Sequence, residues 1–190
     1  MRFITIFVLI GFLAPQVFAQ STAGVEFGAG FGGQLEAKLD NAGATQHDLS
    51  TTWIITPWIE SPFGSAGGFG PEVNFIWLKG EPDEYERRLI VSPHLRLRMS
   101  FPIVPKVTFD GFFSIGPSWW TSDDNSGAGV AGLDNRFGWG LRFGFGGAYE
   151  LNSHASFYAQ LGYMTTTSYG DQITITADSI PIGIGLRATY

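Results

Sequence analysis

The chain has 190 residues, with 11 Lys and Arg against 17 Asp and Glu for a formal charge of −6, and it carries 26 glycines and 17 phenylalanines but no cysteine. That balance excludes disulfides and cysteine-ligated metals, and the acidity argues against a nucleic-acid partner. After residue 20 there is no apolar run long enough for a spanning helix and no sustained 3.6-residue period; period two recurs instead, which fits β structure.

The chain begins MRFITIFVLIGFLAPQVFAQ, with a cation at Arg2, a short apolar run broken by Gly11 and Pro15, and Val17-Phe18-Ala19 before Gln20. This is the layout of a secretory signal peptide cut after Ala19. Residues 1–19 are therefore expected to be removed, leaving one domain, 20–190, with a formal charge of −7.

Eight alternating segments follow in order. The first places Val25, Phe27, Ala29, Phe31 and Leu35 on one face; the second places Trp53, Ile55 and Ile59. Phe69, Val73, Phe75 and Trp77 share a face of the third, and Leu89, Val91, Leu95, Leu97, Met99 and Phe101 a face of the fourth. Val107, Phe109, Phe113, Ile115 and Trp119 follow, then Phe137, Trp139, Leu141, Phe143, Phe145 and Tyr149. Ala155, Phe157, Ala159, Leu161 and Tyr163 mark the seventh segment; Ile180, Ile182, Ile184, Leu186, Ala188 and Tyr190 mark the eighth. The links alternate in length: compact after the even segments, longer and polar after the odd ones, including residues 38–50 and 165–172. Such a meander is an up-and-down antiparallel barrel of all-β class, and an even strand number returns both termini to one side.

Charge separates a membrane barrel from a soluble lipocalin-like one, because the former turns its apolar face outward. The apolar faces carry no charged residue. The opposite faces carry Glu26, Glu36, Glu60, Glu72, Asp110 and Glu150 with Arg88, Arg96, Arg98, Arg136, Arg142 and Arg187, summing to zero. Unpaired ions in a partly dry lumen are expensive, so these twelve are expected to form an interior ion-pair network. Trp58, Trp120 and Tyr158 on the same side argue for a filled lumen, whereas lumen-side glycines such as Gly28, Gly30, Gly138 and Gly140 argue for residual space. Eleven acids fall on the long-link side, Asp48 and Asp178 among them, against three cations, a formal −8. A solvated loop surface accounts for this rim; divalent cations bridging it to lipopolysaccharide are the sharper alternative. Pro57, Pro93 and Pro117 lie inside segments, where each removes a donor from a ladder without a free edge, so bulges or local unpairing are expected there.

The closing stretch IPIGIGLRATY alternates to the last residue. Gly183, Ile184, Leu186 and the terminal aromatic Tyr190 resemble the C-terminal insertion signal of outer-membrane proteins. Together with the leader and eight segments, the whole chain resembles the small outer-membrane β-barrel family that includes OmpX, Ail and the OmpA membrane domain. The resemblance implies a bacterial outer-membrane location with periplasmic termini. It also implies lipid and lipopolysaccharide neighbours, recognition by the barrel-insertion machinery, and an extracellular partner reached through the loops. No cofactor or metal is implied. His154-Ala155-Ser156 spells the His-x-Ser of a lipid A deacylase family, but it lies in a short turn with no Glu at a suitable distance. DDNSG at 123–127 lacks the turn glycine of a calcium loop, and no helix follows the glycine-rich stretches to bind phosphate. His94 is expected to be a hydrogen-bonded interior histidine. The reading is a non-enzymatic structural or surface barrel, with a narrow solute channel as the alternative.

Overall fold

The computed structural model describes residues 21–39, 43–63, 66–80, 88–122, 136–169 and 173–190. The leader at 1–19 and the acidic links at 81–87, 123–135 and 170–172 lie outside the described residues. Eight strands form in chain order: β1 Thr22–Leu39, β2 Ala44–Phe63, β3 Gly67–Gly80, β4 Arg88–Val104, β5 Val107–Ser122, β6 Arg136–Asn152, β7 Ala155–Tyr169 and β8 Ile173–Thr189. Each pairs antiparallel with its sequence neighbours, and β1 pairs β8 to close the barrel. β1 and β8 close the barrel at the short-turn end, where the Tyr190 N–H donates to the Ser21 carbonyl (2.9 Å).

The outward face is apolar over the lower and middle barrel, as the alternation requires: Phe27, Trp53, Phe69, Leu95, Phe113, Trp139, Phe145, Leu161, Ile182 and Ile184 are all exposed. The strands run longer than a bilayer demands. Eighteen residues at about 3.3 Å rise and about 40° tilt cover roughly 45 Å, against an apolar band of roughly 25 Å. The excess appears at the long-link end. Residues 38–50, expected as a polar link, are mostly strand: β1 reaches Leu39 and β2 starts at Ala44, with Lys38 opposite Ala44. Asp48 and Asp178, assigned to links from the sequence, belong to β2 and β8.

A bulge between Phe31 and Gln34 shifts the register of β1. Gly32 takes φ +61° there, a left-handed conformation that costs a residue with a Cβ about 1–2 kcal/mol. An extra residue turns every later side chain to the opposite face. Leu35 therefore points inward rather than outward, and Glu36 leaves the interior face. A matching shift between Leu49 and Thr51 does the same for β2, sending Leu49 inside.

The prolines behave differently from the bulges. The β4–β5 ladder passes from Val91↔Trp119 to Leu95↔Ile115 with no pair between, and Pro93 and Pro117 face each other in that gap. The β2–β3 ladder likewise skips Pro57 and its opposite Val73, while Pro57 keeps its pair with Val25 of β1. Local unpairing occurs without a bulge, because proline lacks one donor and an antiparallel residue bonds to one neighbour at a time.

Candidate functional site: the barrel interior

The interior is built in two layers. The lower, toward the short turns, is ionic and receives side chains from all eight strands. Glu60 of β2 accepts from Arg96 Nε (2.9 Å) and Arg98 Nε (2.8 Å) of β4. Glu72 of β3 accepts from Arg96 Nη1 (2.9 Å), Ser114 Oγ (2.5 Å) and Asn74 Nδ2 (3.0 Å). Glu26 of β1 is bonded by Arg142 of β6 and Gln160 of β7. Asp110 of β5 accepts from Arg187 Nη1 of β8 (2.7 Å) and Ser100 Oγ (2.5 Å), with Arg98 Nη1 at 3.6 Å.

Stacking supplements charge. The Phe112 ring lies between two guanidiniums, with Arg96 Cζ 4.5 Å and Arg142 Cζ 4.9 Å from its centroid. Arg96 also lies over Trp58 at 5.2 Å, and the Trp58 indole N–H donates to the Tyr158 hydroxyl (3.0 Å). A π face attracts each cation, and the planar fork of Arg satisfies two carboxylates at once. Breaking one such pair strands a buried charge, at about 3–5 kcal/mol.

His94 sits at the top of this layer. Its Nδ1 lies 3.0 Å from Ser114 Oγ and 3.6 Å from Glu72, and its Nε2 lies 2.8 Å from Ser92 Oγ. Ser92 Oγ is also 3.0 Å from the carbonyl of Pro117. That carbonyl faces Pro93, which has no N–H, so the serine hydroxyl supplies the donor the ladder lacks.

Above His94 the interior is largely apolar, interspersed with the buried hydroxyls of Thr52, Ser118, Thr166, Ser168 and Ser179. Leu35, Leu49, Ile54, Ile76, Leu78, Ile90, Trp120, Met164, Ile175 and Ala177 form one buried cluster, with Ile76 and Ile90 at 0% exposure. The sequence places Glu36, Arg88 and Arg136 toward this end, names Trp120 as lumen filling and puts Leu35 on the outer face, and it does not assign the other members of the cluster inward. A signal was present: Ile54-Ile55, Phe75-Ile76-Trp77-Leu78, Leu89-Ile90-Val91 and Trp119-Trp120 are apolar on both faces of their strands.

Of the twelve charges expected to pair inside, the structure brings together Glu26, Glu60, Glu72, Arg96, Arg98, Asp110, Arg142 and Arg187. Glu36 is turned away by the β1 bulge. Glu150 is exposed at the short-turn end, beside the shift between Glu150 and Asn152. Arg136 and Arg88 start β6 and β4 at the long-link rim, above the ionic layer; the Arg88 side chain lies outside the described residues. The lumen-side glycines expected to leave space are packed against instead: a Cβ on Gly30 would meet Ser179 and Thr52, one on Gly138 the Thr167 backbone, and one on Gly140 the His94 ring and Ser92 hydroxyl. A Cβ on Gly24 would meet the Trp58 ring, one on Gly183 the Glu26 carboxylate, and one on Gly185 the Tyr158 ring. They are the hollows into which the large side chains fit. Of the terminal motif, Ile184 and Leu186 face outward, Gly183 lies inside against Glu26, and Tyr190 is exposed at the chain end. His154 is likewise exposed in its short turn, remote from the interior serines.

Among the described residues no group of three or more His, Cys, Asp or Glu could hold a metal ion. No family model matches the sequence, and no curated protein matches it. Solved structures do resemble it. The outer membrane protein OprG from Pseudomonas aeruginosa aligns over 91% of this chain and 96% of its own, with TM-score 0.58 and 15% identity. Neisserial surface protein A aligns over 88% of this chain and 97% of its own, with TM-score 0.52 and 13% identity. The chain thus has the fold of the small eight-stranded outer-membrane β-barrels.

Proposed function

We propose that the chain is a non-enzymatic integral protein of the bacterial outer membrane that acts through its outer wall and its long links, with the lumen closed. In this reading residues 1–19 are removed on export and the termini and short turns face the periplasm. The acidic long links face outward toward lipopolysaccharide and any extracellular partner. The insertion machinery reads Gly183, Ile184, Leu186 and Tyr190. The observation that carries the reading is the double closure of the interior, an ionic layer beneath a packed apolar one. A packed, largely apolar layer is a dielectric barrier to an ion, and eight strands enclose little more than their own side chains. Catalysis in the interior finds no support. Ser92, His94 and Glu72 stand within reach of one another, but Ser92 is fully buried beneath the apolar layer and is engaged with Pro117.

The test is planar-bilayer recording of residues 20–190, refolded and shown folded by heat-dependent gel mobility. Silence is expected. Steady, reproducible openings would replace this reading with a narrow channel.

A further inference from the structure

We propose that the short-turn mouth of the barrel is a binding site for a small oxyanion, a carboxylate or phosphate carried by a compact solute. A cavity of about 570 Å³ opens there, within the size range of small-molecule sites. Its lining includes three cations, Arg98, Lys106 and Arg187, against one carboxylate, Glu150.

The two guanidiniums form its floor. Their side chains are 11% and 12% exposed, whereas those of Arg96 and Arg142 higher in the interior are 2% and 1%. The lower pair therefore reaches solvent. Arg187 has Asp110 as its ion-pair partner among the described residues, and it shares that carboxylate with Arg98. Thr108 Oγ1 lies 3.2 Å from Arg187 Nη2 and steers the outer edge of the fork. Arg98 and Arg187 converge on Asp110, Glu60 holds the Arg98 Nε from behind, and both guanidiniums line the cavity; paired forks of this kind are donors that oxyanions accept.

The third cation carries an independent signal. Lys106 has φ +69° and is the described non-glycine residue with positive φ. A turn of this kind favours glycine or asparagine, and strain held at one residue is a mark of function. The turn is fixed where it stands, because the Lys106 carbonyl accepts from the Glu150 N–H (2.8 Å). The chain thus holds a strained lysine, rather than a relaxed glycine, on the rim of a cavity floored by arginines. Ser156 and Thr108 add hydroxyls to the wall.

Calorimetric titration of the refolded barrel at low salt, with inorganic phosphate in one series and acetyl-Ala-Ala in another, tests this. Saturable binding of at least one probe is expected, weakening as salt rises. Arg187→Gln should weaken it roughly tenfold or more, the loss of a charge-assisted contact. Lys106→Gly should weaken it about threefold while leaving the barrel at least as stable, since glycine relieves the backbone. Preference for phosphate would identify a phosphorylated solute; preference for the dipeptide would identify a peptide carboxylate. Absence of saturable binding by both probes, or affinity unchanged by Lys106→Gly and Arg187→Gln, would overturn the proposal.

Discussion

The lower and upper parts of the barrel are made by the same strands with opposite polarity. At the level of Arg96 and Arg142 the wall is apolar outside and ionic inside. Near Leu35, Leu49, Ile175 and Ala177 the interior is largely apolar, and the outward positions of β1, β2, β7 and β8 become Gln34, Glu36, Asp48, Thr165, Thr167, Thr176 and Asp178. The lower part is built as a membrane barrel and the upper wall as a soluble one. The choice between those two architectures, posed by the sequence for the whole chain, is made separately at each height. Two mechanisms make the switch. In β1 and β2 the bulges rotate the alternation by one residue. In β7 and β8 the phase is constant, and residue type alone changes along each face.

The sharpest way to break the lower part is to strand its charges. Arg96→Met leaves Glu60 and Glu72 short of a cation and should cost about 3–5 kcal/mol, read as a lowered urea midpoint in lipid vesicles. The upper part should respond to volume instead. Ile76→Ala opens a hole in this packed layer and should cost about 2–4 kcal/mol, measured by the same unfolding curve. The smallest effect belongs to the switch itself. A Cβ on Gly32 would meet nothing within 4 Å, so Gly32→Ala should cost only the left-handed backbone, about 1–2 kcal/mol. A much larger loss would mean that the bulge, and not the packing above it, holds the upper wall.

Where one residue type served one environment, the sequence was readable. Alternation located all eight strands, and Trp58, Tyr158 and the eight paired charges lie on the interior side that alternation gave them. Leu35 and Glu36 were misplaced because period two carries no phase once a residue is inserted; Gly32-Gly33, two glycines within a strand, was the available cue. Residues 38–50 read as a link because a wall standing in water shows polar residues outward, and its inner face offers only Leu49 as a clear apolar mark. The apolar layer was overlooked because a membrane barrel was assumed to be polar inside throughout its height.

The facing prolines of β4 and β5 carry a mechanical consequence. A closed ladder resists ovalisation as a hoop resists denting, since every rung shares the bending load. Where Pro93 meets Pro117 the hoop lacks rungs, and the neighbouring skip at Pro57 and Val73 lies two strands away along the same circumference. Lateral pressure from the surrounding lipid would concentrate its deformation at that crease, at the level where His94 and Glu72 meet.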